Sequence, residues 1–380
     1  QDIGYQANVT VADGSDDGEV TIQWNTFLAG EAGGANDDDA FSVADDDDSI
    51  GVNNTFTDVT GGTITGSDDL LGAGDYDLEV RAGAGQINAE SDSVATVSLD
   101  QRQTNGVRVW TAPAAQVNEI VHKKDVFGFV DDGNLTRDRS IAAQDMLVLE
   151  IDATGLEGAI RAHSGNNTEQ FIKFANATSA PGPNVADSEA KLQLNQTDVG
   201  ANKNQKVLRW NQTNVTKVAL DAPNDTYYVV VDLQDVDVRR DANEDGLARK
   251  GETTASKGFE DGDQFEANFT VLKDKDGLAK KRQSVTRTWN FQDADATVTL
   301  SGDKVLVSPS ANQTIRGTTT VAAGTEVNLR VRSSTQGTPF LKPADVRVEP
   351  ADSGENTWAA DFDFSDVPAG TNFTIDVKRS

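Results

Sequence analysis

Trp358, Ala360, Phe362 and Phe364 occupy every second position, with polar residues between them. A side-chain period of two belongs to an extended strand with one buried face, because successive side chains on a strand point to opposite sides. Past the turn-forming DVPAG (366–370), Phe373, Ile375 and Val377 alternate in the same way. The two runs read as a hairpin, with Val327, Leu329 and Val331 as another strand of the same sheet and Val346 with Val348 as a further one.

The rest of the chain has the same character. YYVVVDL (227–233) and MLVLEID (146–152) are continuous apolar runs, the mark of central strands. FEANFTVL, VTRTWNF, YQANVTV, VTIQWNTF, YDLEVRA, VATVSL and VRVW are shorter strand-like runs separated by polar turns. Helical periodicity is weak, with SIAAQDML (140–147) and SEAKLQL (188–194) its best stretches, and NDDDAFSVADDDDS (36–49) reads as an acidic loop. The expected fold class is all-β, as tandem immunoglobulin-like β-sandwich domains at 1–115, 116–299 and 300–380.

The surface chemistry is one-sided. The 380 residues carry 62 Asp and Glu against 33 Lys and Arg, a net charge of −29. Asp outnumbers Glu roughly three to one. Such a surface repels nucleic acid and anionic membranes. Its self-repulsion is screened in molar salt, where the Debye length falls to about 3 Å. Dense short carboxylates with few Lys are what a chain living in concentrated salt would show. Cys is absent, so disulfides and thiolate-bound metals are excluded. No apolar run reaches the ~18 residues a membrane helix needs. The chain opens on Gln1, as a processed chain does, so membrane attachment would run only through an anchor removed or absent from this sequence.

Residues 211–216 read NQTNVT, two Asn-x-Thr triplets end to end. The triplet occurs at Asn8, Asn53, Asn134, Asn166, Asn176, Asn195, Asn211, Asn214, Asn224, Asn268, Asn312 and Asn372, always with Thr in third place. Chance would give about two or three for so short a motif. Asn-x-Thr is the acceptor for N-linked glycans in exported proteins. Asn211 and Asn214 differ in parity, so both can be reached only where the segment is a loop or is open on both faces.

DANEDGLARKGE (241–252) has the calcium-loop spacing. Asp241, Asn243 and Asp245 supply oxygens at loop positions one, three and five, Leu247 a backbone carbonyl at position seven, and Glu252 a bidentate carboxylate at position twelve. Gly246 permits the sharp turn between them. A strand rather than a helix leads in, and Arg239, Arg240, Arg249 and Lys250 crowd the loop. A Ca2+ site and a plain Asx-turn loop both stay open.

Catalytic signatures are missing. His122 and His163 stand in no metal or triad pattern, and neither a G-x-S-x-G nor a phosphate loop occurs. The expectation is a protein that is not an enzyme.

ANQTIRGTTTVAAGTEVNLRVRS (311–333) and WAADFDFSDVPAGTNFTIDVK (358–378) resemble the β-sandwich repeat that closes many haloarchaeal surface-layer glycoproteins. QDMLVLEIDATGL (144–156), DTYYVVVDLQDVDV (225–238) and GDQFEANFTV (262–271) are similar to the preceding domain of those proteins, whereas the first 115 residues match only in style. The resemblance implies an exported, glycosylated structural protein. With the readings above, the expectation is an extracellular cell-surface glycoprotein that self-assembles into a surface layer or filament, with N-linked glycans and, at the 241–252 loop, Ca2+ as accessory groups. The alternative is a monomeric adhesin or accessory glycoprotein with a cell-surface or glycan partner.

Overall fold

In the computed structural model the described residues are 7–30, 40–54, 71–83, 90–116, 135–175, 190–242, 246, 252–255, 258–272, 278–279, 281–333, 339–351 and 355–379. They form an all-β protein. The strands are β1 (Ala7–Ala12), β2 (Ile22–Trp24), β3 (Phe41–Val43), β4 (Ser49–Asn54), β5 (Gly74–Val80) and β6 (Ser93–Leu99); then β7 (Thr104–Pro113), β8 (Ser140–Ala142), β9 (Asp145–Ala153), β10 (Ala190–Gln196), β11 (Lys206–Arg209), β12 (Thr216–Asp221), β13 (Thr226–Asp232), β14 (Asp237–Arg240), β15 (Gln264–Val271) and β16 (Gln283–Gln292). The last five are β17 (Gln313–Thr319), β18 (Glu326–Ser333), β19 (Phe340–Arg347), β20 (Asn356–Phe362) and β21 (Thr374–Arg379).

Two compact units emerge from the fold. One gathers 1–105, 153–191 and 270–284, the other 106–152, 192–269 and 285–380. The sequence-based boundaries after 115 and 299 do not coincide with any point where these units change over.

The first unit holds antiparallel two-stranded ribbons, β1 with β4, β2 with β3 and β5 with β6. The acidic run 36–49 is therefore not all loop: Phe41–Val43 is a strand paired with Ile22–Trp24, and the Phe41 ring stacks on Trp24 at 5.8 Å. The unit also holds the short helices, Thr26–Gly30, Glu157–Arg161 and Asn167–Ala175. The last of these starts with a capping box. Asn166 Oδ1 accepts the N–H of Glu169 at 3.1 Å, and Glu169 Oε2 accepts the N–H of Asn166 at 3.0 Å. Phe171 and Phe174 are buried one turn apart on its inner face.

The two best stretches of the weak helical periodicity hold strands among the described residues. Ser140–Ala142 and Asp145 onward form β8 and β9, and Ala190–Gln196 forms β10. The reason lies in the pattern: Ala190, Leu192, Leu194 and Gln196 are buried at every second position. Residue identity favoured a helix there, but a period of two is satisfied only by a pleated strand. Gln144, at φ +71°, turns the chain between β8 and β9.

In the second unit, β14-β11-β10-β15-β16-β8 make a six-stranded sheet and β12-β13-β9-β7 a four-stranded one. The apolar runs lie in β9 and β13, the two interior strands of the latter, and nearly every residue of both is buried. A strand covered on both faces has no polar positions to spare, which accounts for the unbroken Val, Leu and Ile.

Residues from about 297 onward form a β-sandwich of two sheets, β17-β20 and β19-β18-β21. Trp358, Phe362 and Phe364 from one side meet Val327, Leu329 and Val331 from the other in one core. This corrects the expected hairpin. β20 pairs with β17, whereas β21 pairs with β18 in the opposite sheet, so DVPAG carries the chain across the sandwich. Alternation showed which side chains face the core; it could not show from which of two facing sheets they do so. Gly317 is fixed by close approach: a Cβ there would lie 1.8 Å from the Thr297 carbonyl oxygen and 2.5 Å from the Trp358 ring.

Charges are also buried in this unit. Asp145 is fully buried, its Oδ2 accepting the N–H of Ala322 at 2.7 Å and its Oδ1 lying 2.7 Å from Arg379 Nη2 on the last strand. Glu150 accepts from Trp110 Nε1 at 2.6 Å and from Arg108. Lys206, 1% exposed, places Nζ 2.6 Å from Asp263 Oδ2 and 3.1 Å from Glu260 Oε2. Burial raises the Asp145 carboxyl to about 6, against the pull of Arg379 and the Ala322 amide in the other direction.

Two predictions follow from this packing. Gly317→Ala should lower stability by about 1–3 kcal/mol, read as a drop in Tm. For Asp145, the folded state holds the proton more tightly than the unfolded chain, whose carboxyl keeps its ordinary value of 3.8. Its contribution is therefore present below that value and lost as pH rises through about 6. Melting curves between those limits at fixed salt should show a flatter pH dependence for Asp145→Asn than for the parent chain.

Candidate functional site

The loop 241–252 begins where β14 ends. The residues flanking it pair as antiparallel chain rather than as helices: the Arg240 N–H donates to the Thr253 carbonyl at 2.9 Å and the Ala255 N–H to that of Val238 at 2.8 Å. Asp241 is 1% exposed. Its own N–H donates to the Gln205 carbonyl at 2.9 Å, and its Oδ2 accepts the N–H of Gly246 at 2.7 Å. At the far end Glu252 Oε1 accepts the N–H of Ala242 at 3.2 Å. Positions one, six and twelve of the spacing are thus drawn together.

Gly246 has φ +72°, the left-handed region that suits glycine. A Cβ there would sit 2.4 Å from Gln193 Nε2 and 2.7 Å from Asn195 Nδ2, and Gln193 Nε2 donates to the Gly246 carbonyl at 3.0 Å. β10 therefore cradles the turn with two carboxamides. The crowding arginines are directed elsewhere: Arg239 Nε donates to Asp237 at 2.7 Å and Arg240 Nη1 to the Asn204 carbonyl at 2.8 Å. Asn243, Asp245, Leu247, Arg249 and Lys250 lie outside the described residues. Among the described residues no three His, Asp or Glu side chains form a metal-binding group. Asp241 and Glu252 fit the loop's two ends for a hard cation. Calcium takes hard oxygen ligands of this kind.

The acceptor triplets fall into distinct settings. Asn214, Asn224, Asn312 and Asn372 are exposed in turns or beside strand ends, and Asn166 is exposed at its helix cap. NQTNVT is the turn between β11 and β12, with Asn214 exposed and Asn211 half-buried, so difference in strand parity does not apply. Two more are half-buried within the six-stranded sheet, Asn195 on β10 and Asn268 on β15. Asn8 and Asn53 are register partners on β1 and β4, so opposite each other in one ribbon. Asn134 and Asn176 lie outside the described residues, as does His122.

No spacing rule flags Lys206, Asp263 or Asp145, because their neighbours are brought together only by the fold. A Lys opening the apolar run KVLRW is the one local signal that Lys206 points inward.

Two measurements bear on these sites. Calcium should raise the Tm of the parent chain, and the rise should vanish in Asp241→Ala with Glu252→Ala. Glycopeptide mapping should find Asn214, Asn224, Asn312 and Asn372 occupied and Asn195 bare, since its Nδ2 faces the loop at Gly246.

Comparison with known proteins places this architecture. A family model described as a domain of unknown function (DUF7827) matches residues 1–83. The "Cell surface glycoprotein" of Haloferax gibbonsii is 36% identical over 98% of this chain and 38% of its own length. "Cell surface glycoprotein 1" and "Cell surface glycoprotein 2" of Haloarcula hispanica are 31% and 29% identical over 98% of this chain and 39% of theirs. Among solved structures, a marsupial T cell receptor and an ICAM-5 ectodomain fragment align at TM-scores of 0.19 and 0.20, with 6% and 10% identity over 72% and 83% of this chain and 71% and 60% of theirs. Those scores are too low to carry an argument, and the strand pattern itself describes the fold. No helix among the described residues is long and apolar enough to cross a membrane. The chain is an extracellular, cell-surface relative of the haloarchaeal cell surface glycoproteins, matched along nearly all of its own length and about two fifths of theirs.

Proposed function

We propose that this chain is a structural segment of a self-associating glycoprotein coat or filament on a haloarchaeal cell, stabilised by divalent cations and N-linked glycans. The observation that carries the reading is the placement of acceptor asparagines at exposed turns of a β-framework whose relatives are named cell surface glycoproteins. Glycans at such positions add bulk and hydration without touching the strand ladders. The acidic surface supports the cation role, since carboxylates on neighbouring copies repel until a divalent ion or concentrated salt intervenes. The loop at Asp241 and Glu252 would hold Ca2+ within one copy.

Electron microscopy in molar salt with calcium, repeated after chelation, tests the proposal. The expected result is ordered sheets or filaments that disperse when the cation is removed. Dispersed monomers under both conditions would overturn self-association and leave the adhesin reading.

A further inference from the structure

The polar interior of the six-stranded sheet brings together the reactants of a condensation. Lys206 opens β11 and is 1% exposed; Asp263, just ahead of β15, is 7% exposed. Lys206 Nζ lies 2.6 Å from Asp263 Oδ2. Neither group is loosely held. Asp263 Oδ1 accepts from Gln196 Nε2 at 2.9 Å, Oδ2 also accepts the Glu260 N–H at 2.7 Å, and the Asp263 carbonyl accepts the Phe291 N–H at 2.9 Å. Gln196 Oε1 in turn accepts the Lys206 N–H at 3.2 Å. A second carboxylate reaches the same amine, Glu260 Oε2 at 3.1 Å, with its side chain 37% exposed. The turn that bears both acids also bears Phe259 and Phe265, whose rings stack on Phe291 and Trp289 at 4.7 Å each.

A buried ion pair accounts for one carboxylate on one amine. A second carboxylate, Glu260, reaches the same nitrogen. The ion pair and the neutral pair, amine with carboxylic acid, contain the same atoms and differ only in the position of one proton. In the neutral form the amine is held against the carboxylic acid, 2.6 Å from its Oδ2, and fixed contact of this kind replaces a bimolecular encounter.

We propose that Lys206 and Asp263 join in an intramolecular amide bond, with Glu260 as the proton shuttle. Nζ of the neutral amine attacks Cγ of protonated Asp263. Glu260 takes one proton from the nitrogen as the C–N bond forms and passes it to the departing hydroxyl as the C–O bond breaks. One water leaves, the Glu260 carboxylate is restored, and nothing is oxidised or reduced. The bond links β11 to β15 across β10, which lies between them, and closes a ring that contains β12, β13 and β14. In a chain without Cys it would be a covalent brace inside the larger unit. The proposal is independent of self-association.

Tryptic peptide mapping of the folded, deglycosylated 380-residue chain by mass spectrometry tests it. The expected product is a branched peptide joining 204–209 to 258–273, lighter than the two parts by one water, with no cleavage after Lys206. Cleavage after Lys206 with two linear peptides of unshifted mass would overturn the bond. Lys206→Arg should give only linear peptides. Glu260→Gln, checked for its fold by circular dichroism, should form the branched peptide about a hundredfold more slowly. Unchanged formation in that variant would overturn the role of Glu260.

Discussion

Unbalanced negative charge is the constraint to which the rest of this molecule answers. It is not spread evenly. Residues 1–100 hold 22 Asp and Glu and a single basic residue, Arg81, whereas 301–380 hold ten acidic and eight basic residues. The anionic end is also where the described strands form two-stranded ribbons with many exposed positions. The near-neutral end is a sandwich with a closed aromatic core. Packing strands closely forces surface charges together, so a region that must pack densely tolerates less net charge than an open one. Concentrated salt relaxes that limit for the ribbons, because screening acts most on solvent-exposed charges.

Inside the larger unit the same economy holds in reverse. Charges admitted to the interior are held by several donors or acceptors each: Asp145 by Arg379 and the Ala322 amide, Glu150 by Arg108 and Trp110. Removing one partner from such a set leaves a buried charge uncompensated, which costs more than the set contributes when intact.

The fold was legible in the sequence where burial writes a period. The interior strands at 146–152 and 227–233 and the alternating faces around Trp358 and Phe364 stand out because one or both sides of the strand meet only apolar atoms. Partnership was not legible. Nothing in residues 358–378 distinguishes a hairpin from two strands facing each other across a core, since both bury alternate residues. Composition misled at 140–147 and 188–194, where Ala, Leu and Gln favour a helix in isolation but tertiary burial overrode them. At the candidate cation loop, Asp241 accepts from the Gly246 amide and Glu252 from the Ala242 amide. The carboxamides of Gln193 and Asn195 that pack against it come from a strand about 50 residues away, beyond the reach of any local motif.

The crossing of the chain between the sheets of the last sandwich also has a mechanical meaning. Its first strand, β17, hydrogen-bonds to β20, and its last, β21, to β18 in the other sheet. Tension applied along these strands would slide each past an antiparallel neighbour, loading many backbone hydrogen bonds at once instead of peeling them one after another. The final strand is tied further by Arg379, whose guanidinium reaches Asp145 and the Ala143 carbonyl. A module loaded in shear resists extension better than one peeled strand by strand, and the pairing of β17 with β20 and of β21 with β18 provides that arrangement.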